Sequence, residues 1–351
     1  MNRNSKVYQE DMEYIAYSTS IDWRYLQGKT IFVTGGTGLI GSTLIQGLLF
    51  ANHKCHLNLK IIALVRDLER AKKLFEGGDE NCDGLQFLEG TVEALPHVSD
   101  TVDYIIHGAS PTASLYFVQH PVETIKTAVQ GTQNLLDLGM EKKVSGFVYL
   151  SSMEVYGAPL SDDFILESQG CTLDSMTVRS CYPIAKRLCE NLCASYASEY
   201  EVPSKVVRLA QTFGPGVSIQ DNRVFAEFAR DAIHGADIKL QTAGTSKRMY
   251  LYTADAVTAI LTVLLSGKSG EAYNAANPET YCSIVEMAQF VAHDIGKDQI
   301  QVHLPSTKVD ADSKFPPPHH LKLDTNKISE LGWKPSRGLK EMYLRMIEDM
   351  I

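Results

Sequence analysis

The sequence predicts a doubly wound α/β fold: an open, parallel sheet with helices on both faces, joined to a smaller unit made of discontinuous C-terminal pieces. Three observations carry that expectation. Short apolar runs alternate with amphipathic stretches from Lys29 to Leu209, the rhythm of a parallel sheet whose strands each need a crossover. A glycine run, Gly35-Gly36-Thr37-Gly38-Leu39-Ile40-Gly41, lies between the first apolar run and the first helix. A buried run, Gly146-Phe147-Val148-Tyr149-Leu150, ends in Ser151-Ser152-Met153-Glu154 and is followed by Tyr182 and Lys186. In open α/β sheets the carboxyl ends of the strands are where ligands bind.

Bulk properties narrow the function classes. With 351 residues, 44% of them hydrophobic and 21% charged, the chain can hold one large domain or two moderate ones. A net charge of −9 argues against nucleic acid as a partner. Phosphorylated ligands must then be held locally, by backbone amides and a few arginines. The seven cysteines (55, 82, 171, 181, 189, 193 and 282) are odd in number and contain no Cys-x-x-Cys, so neither a disulfide framework nor a zinc site is expected. A reducing cytoplasm fits. The polar start, Met1 to Lys6, leads into no apolar signal region, and no apolar run approaches the ~20 residues of a spanning helix, so no membrane partner is expected. The paired histidines of Phe315-Pro316-Pro317-Pro318-His319-His320 have no converging ligands, and no metal is expected.

The elements follow in order. Residues 1–27 carry Tyr14, Ile15, Tyr17, Ile21, Trp23 and Leu26, too apolar for a free tail, and read as a helical arm packed on the domain. Lys29–Thr34 is the first strand. Gly36, Gly38 and Gly41 match G-x-G-x-x-G, and Gly35, Gly38 and Gly41 match G-x-x-G-x-x-G. Such glycines permit a tight turn and let a pyrophosphate sit on the N-terminus of the helix that Leu39 and Ile40 open. Leu59–Val65 is the second strand. Its end is where NAD-users carry an acid for the ribose 2′-OH, but Val65 fills about that place and Arg66 comes next, suited to a 2′-phosphate; the alternative is a solvent-exposed arginine leaning on Asp67 or Glu69. Gln86–Gly90 is the third strand, followed by Thr91 and Val92. Asp103–His107 is the fourth, and His107 reads as a packed histidine. Pro121–Gly139 is a helix with an apolar face at Val122, Ile125, Val129, Leu135, Leu136 and Leu138. The helix from Tyr182 to about Tyr200 tolerates Pro183 only in its first turn. Lys205–Leu209 is the sixth strand. Beyond it come a helix opening at Asp221–Phe225, a cap at Asp255, and a turn at Leu331-Gly332-Trp333.

Tyr182 and Lys186 lie four apart, on one helix face. An ammonium beside a phenol lowers the tyrosine below its usual value near 10 and lets it exchange protons near neutrality. Strand alternation points Ser152 and Glu154 to the same face. A carboxylate buried there would be raised and could shuttle a proton; alternatively Glu154 caps the turn or pairs with an arginine.

Together, the glycine run, Ser151-Ser152-x-Glu154-Val155-Tyr156-Gly157 and Tyr182-x-x-x-Lys186 resemble the extended short-chain dehydrogenase/reductases, the NAD-dependent epimerase/dehydratase family of nucleotide-sugar enzymes. The resemblance runs from Gly28 onward. His107-Gly108-Ala109-Ser110-Pro111 is similar to the His-x-Ala-Ser-Pro of nucleotide-sugar decarboxylases, and Leu331-Gly332-Trp333-Lys334-Pro335 to the family's closing turn. Thr91 replaces a usual aspartate, Ala128 and Gln211 usual asparagines, and Met153 the acid of the dehydratases.

The resemblance implies a Rossmann domain (28–211 plus 249–275), a substrate domain (212–248 plus 276–351) and the arm 1–27. It implies NADP or NAD, with NADP favoured by Arg66, held by Gly35, Gly38, Leu39, Ile40, Gly41, Arg66, Val92, Ala109, Ser151, Tyr182, Lys186 and Leu209. A nucleotide-diphosphate sugar would be held by Ser110, Thr112, Gln211, Arg223 and Arg248. Tyr182 would take the 4-OH proton as phenolate, Ser152 would share its hydrogen bond, and Lys186 would lower the tyrosine and hold the nicotinamide ribose. From the resulting 4-keto sugar, Glu154 favours dehydration or decarboxylation. A 4-epimerase, an NADPH-dependent keto-sugar reductase and a non-catalytic dinucleotide-binding protein are the alternatives. A homodimer through the 121–139 and 180–200 helices is expected.

Overall fold

The computed structural model describes residue 3 and residues 5–75, 83–111, 114–170, 172–305 and 318–351. Six strands build the first part of the chain: β1 (Thr30–Thr34), β2 (Lys60–Val65), β3 (Leu85–Glu89), β4 (Tyr104–His107), β5 (Gly146–Ser152) and β6 (Ser204–Leu209). After β7 (Gln211–Phe213), β8 (Ile238–Lys239) and β9 (Lys247–Tyr252), β10 (Ala272–Ala275) returns to the same sheet. Its order is β10-β6-β5-β4-β1-β2-β3, every neighbouring pair parallel. β1 and β4 are buried at every residue, as central strands covered on both faces must be, whereas the edge strand β3 is only partly covered. The doubly wound α/β expectation is borne out.

The helices that cover this sheet are α1 (Lys6–Ala16), α2 (Leu39–Cys55), α3 (Leu68–Phe75), α4 (Ser114–Gln119), α5 (Pro121–Lys142) and α6 (Cys181–Glu199); after them come α7 (Val224–His234), α8 (Thr253–Ser266), α9 (Ile284–Phe290), α10 (Asn326–Ser329) and α11 (Leu339–Met350). Pro183 falls in the first turn of α6, where its missing N–H costs nothing. Strand order reverses between β1 and β4. Thr34 pairs with His107 and His107 with Tyr149, while β5 runs on to Ser152. The loops after β1, β4 and β5 therefore open on one crevice.

A second sheet is centred on β9, which runs parallel to β7 and β13 (His320–Leu321) and antiparallel to β11 (Asn277–Ser283). β8 pairs with β12 (Val302–His303). Only Ala210 separates β6 from β7, and β9 runs straight into α8, so two short connections fix this sheet to the larger one.

α1 is held by charge as well as by apolar packing. Its buried Asp11 accepts from the Tyr252 hydroxyl (2.6 Å) and from Arg345 of α11 (2.9 Å), and Glu10 pairs with the same arginine. Ile15, Ile21 and Leu26 are buried, while Tyr17 is exposed. Asp255 does not cap α8, as the sequence suggested. It lies inside the first turn, fully buried, and accepts from Tyr14 Oη, Ser336 N and Ser336 Oγ, tying the arm to the C-terminal segment. Among the described residues no helix is long and apolar enough to cross a membrane.

Candidate active site

Tyr182 and Lys186 project from the first turns of α6 toward the end of β5. Lys186 is 3% exposed; its ammonium donates to the Leu150 carbonyl (2.7 Å) and lies 4.6 Å from the centre of the Tyr149 ring and 5.7 Å from that of Tyr182. Burial pushes it down to about 8. The Tyr182 ring stacks on Phe117 of α4 with centroids 4.3 Å apart and planes 10° apart. Burial first, and the Glu154 charge second, push the Tyr182 phenol up; the Ser152 hydrogen bond and Arg179 pull it back. This corrects the expected direction. The phenol is too deeply buried for its neighbours to bring it below its ordinary value.

Glu154 reaches this group by a route other than strand alternation. β5 stops at Ser152, and Met153–Tyr156 is a tight 3₁₀ turn whose first amides are capped by Ser152 Oγ, which accepts from Glu154 N (3.2 Å). The Glu154 carboxylate accepts from Arg179 Nη2 at 2.9 Å, and about a third of its side chain is exposed. The arginine pairing is what the structure holds; a carboxyl sealed in an apolar pocket is not. Arg179 also lies over the Phe117 ring, 5.0 Å from its centre. Glu154, Arg179, Phe117 and Tyr182 thus form a continuous stack of contacts.

The glycine corner closes the other side of the crevice. Gly35 has φ +75°, and a Cβ there would lie 2.7 Å from the Gly108 backbone. A Cβ on Gly41 would lie 2.2 Å from Gly35 O. At Gly38 a Cβ would meet nothing closer than Gly35 O at 3.4 Å, so the protein's own packing does not require glycine there. Gly38 N-caps α2 without a side-chain hydrogen bond, leaving the amides at Leu39 and Ile40 without a capping side chain. The loop after β4 is held to β1 by Ala109 N, which donates to Thr34 Oγ1 (3.2 Å), and beside it the Ser110 hydroxyl is buried with no partner among the described residues.

The remaining expected residues divide. Arg248 donates to Gln211 Oε1 (2.9 Å) and contacts His319 Nε2 (3.1 Å), and its Nε is buried with no partner among the described residues; Gln211 and Arg248 are brought together as a donor-rich corner. Arg223 instead forks onto Asp221, with Nη2 at 2.6 Å. The Ser151 hydroxyl turns away from Ser152 and donates to Glu190, part of a buried pair with Arg208. Val92 is buried against Gly131, and Leu209 belongs to the core. Arg66 is exposed just past the end of β2. Thr112 lies outside the described residues. Thr91 accepts from Ala94 N, closing a local turn.

The model of the NAD dependent epimerase/dehydratase family matches residues 31–276. The chain is 31% identical over 99% of its length to UDP-glucuronic acid decarboxylase 6 of Arabidopsis thaliana, covering 91% of that protein, and 32% identical to decarboxylase 3 of the same plant over 91% of this chain and 88% of the relative. The protein belongs to the NAD-dependent epimerase/dehydratase family. The family's fold is also that of dTDP-glucose 4,6-dehydratase DesIV from Streptomyces venezuelae, solved with NAD bound, at a TM-score of 0.74 and 21% identity, covering 91% of this chain and 96% of that one.

For a member of this family the corner at Gly35–Gly41 fits a dinucleotide. Among the described residues nothing lies closer than 3.4 Å to where a Gly38 side chain would start, the first amides of α2 face that space, and Ser110 supplies nearby a hydroxyl with no described partner. Sequence reading missed Arg179 and Phe117. Arg179 stands three residues before Tyr182, a spacing that could have drawn notice; Phe117 carried no signal, because its stacking depends on where α4 packs.

Proposed function

We propose that this protein decarboxylates a nucleotide-diphosphate uronic acid through a transient 4-keto sugar, with UDP-glucuronic acid the substrate to test first. The observation that carries this reading is the Glu154–Arg179 ion pair set against Tyr182, in a chain similar to UDP-glucuronic acid decarboxylases along nearly its whole length. Met153, where dehydratases carry an acid, is buried in the core and offers the crevice no proton.

A nicotinamide dinucleotide, NADP or NAD, held at the glycine corner would accept two electrons from C4 of the sugar and later return them. Tyr182 takes the 4-OH proton, with Ser152 sharing the bond, and gives it back at the end. Lys186 supports this exchange with a charge that burial leaves close to its balance point. Once C4 is a ketone, the C5–carboxylate bond breaks and its electrons move to the C4 oxygen, where Tyr182 and Ser152 hold the enolate. Glu154 carries the proton to C5, and Arg179 keeps the carboxylate in place. Arg248, Gln211 and Ser110 serve the diphosphate and sugar, and the division into a cofactor-binding part and a substrate-binding part at 212–248 plus 276–351 belongs to the same reading.

Purified protein given UDP-glucuronic acid and NAD should yield a product lighter by carbon dioxide, with no net consumption of cofactor. Water loss from a nucleotide hexose, an unchanged mass, or stoichiometric NADPH consumption would each point to another member chemistry and overturn this one. We further propose a preference for NADP over NAD, because Arg66 stands exposed where β2 ends. Arg66→Ala should lower the NADP/NAD affinity ratio by about tenfold or more, the scale of one charge-assisted hydrogen bond; an unchanged ratio in a binding titration leaves Arg66 a surface residue. Finally, we propose a homodimer through α5 and α6, supported by exposed Val118, Val122, Ile125 and Leu188.

A further inference from the structure

Lys186 has a charged group in a place that supplies little to balance it. Its ammonium carries three donors, and the Leu150 carbonyl, 2.7 Å away, accepts from it. The titratable groups around it are Tyr182, Cys189, Glu190 and Cys193 of α6, Tyr149 of β5 and His107 of β4. Glu190 is committed to Arg208, which forks onto both its oxygens, and to Ser151. The Cys189 thiol donates to the Ala128 carbonyl (3.2 Å), burial holds the Cys193 thiol protonated, and His107 is neutral. Among the described residues the Tyr149 ring, its centre 4.6 Å from the ammonium, is the nearest aromatic face, closer than the Tyr182 ring at 5.7 Å.

The Tyr149 hydroxyl, by contrast, is buried, makes no well-formed hydrogen bond among the described residues, and faces the Cys189 thiol, which already donates to the Ala128 carbonyl. A phenylalanine at 149 would fill the same space without that cost. The ring is thus what this position contributes, and its place over the ammonium gives it a task.

We infer that Tyr149 is a positioning residue for the reaction: the face of its ring holds the Lys186 ammonium against the end of β5 and keeps it protonated. This rests on the reading of Lys186 as the lysine of the C4 oxidation step. Burial has already moved Lys186 close to neutrality, so a modest loss of support from the ring changes its charge in the working pH range.

The test is the titration of Lys186, followed by NMR through the Cε carbon in protein labelled at lysine, with the signal assigned from Lys186→Arg. Tyr149→Phe should leave the midpoint where it is in the wild type. Tyr149→Met removes the ring and should lower the midpoint by about one pH unit, the scale of a desolvated cation–π contact. Should Tyr149→Met not fold, fluorinated phenylalanines at 149 keep the ring's size while draining its face of charge, and the midpoint should fall with each added fluorine. A midpoint unmoved in the methionine or fluorinated proteins overturns the inference, as does a fall in Tyr149→Phe equal to that in Tyr149→Met, which would assign the effect to the hydroxyl. The titration needs no substrate, so a protein that leaves UDP-glucuronic acid untouched would sink the decarboxylase reading and not this one.

Discussion

At the scale of single residues, His107 shows how burial decides a role. Both ring nitrogens are engaged, Nδ1 with Thr34 Oγ1 at 2.8 Å and Nε2 with Thr132 Oγ1 at 3.2 Å, and burial, with a smaller push from Lys186, lowers it to about 3. The imidazole joins β4 to β1 and α5 and carries no proton for chemistry. Because its folded value lies below the ordinary 6.5, the unfolded chain binds the extra proton first, and stability is lost as pH falls from about 6.5 toward 3. Chemical denaturation at a series of pH values should show that loss, up to about 1.4 kcal/mol per pH unit from this group, and His107→Gln should flatten the slope between pH 6 and 4. An equal slope in the variant would mean that other groups govern acid unfolding. Ser152, Tyr182 and Lys186 could be placed at one crevice from the sequence, because a strand end and one helical turn fix them, but the tyrosine–lysine spacing carried weight only beside the serine strand end and the glycine run. The partner of Glu154 was not: Arg179 lies 25 residues away and meets it only when the chain between them folds back.

At the scale of elements, the β1–α2 corner separates two uses of glycine. Gly41 is required by the fold, since a Cβ would strike Gly35 O, whereas Gly38 has room. Gly41→Ala should destabilise the protein by about 1–3 kcal/mol through overpacking, read as a lower midpoint in thermal or denaturant unfolding. Gly38→Ala should unfold like the wild type yet bind NAD at least tenfold more weakly in a calorimetric titration. If both variants lose stability alike, the space at Gly38 belongs to the fold and not to a ligand. The strands, the glycine corner and the first turn of α6 could all be read from the sequence, because apolar runs, glycines and Pro183 act locally. The end of β5 could not: alternation was extended to Glu154, but Ser152 caps a 3₁₀ turn that breaks it. Asp255 was misread for a related reason, since its partners Tyr14 and Ser336 come from distant segments.

At the scale of the whole molecule, the larger sheet and α6 bring Ser152, Tyr182, Lys186 and the glycine corner together, while β9 contributes Arg248. The apolar residues left on α4, α5 and α6, Val118, Val122, Ile125 and Leu188, lie on the surface of the described chain. A C2 pairing of these helices would cover them; light scattering at micromolar concentration should give twice the chain mass, and Ile125→Glu combined with Leu188→Glu should give the monomer. A monomer in the wild type would contradict the pairing. We propose that one site runs a closed redox cycle in two parts: Ser152, Tyr182 and Lys186 open and close it, and Glu154, steadied by Arg179, carries the step between. Glu154→Gln separates them. Mixed with UDP-glucuronic acid and NAD in a single turnover, the variant should show the absorbance of the reduced cofactor rising and persisting, while the wild type shows only a transient. Full turnover by Glu154→Gln, with no reduced cofactor accumulating, would contradict the account.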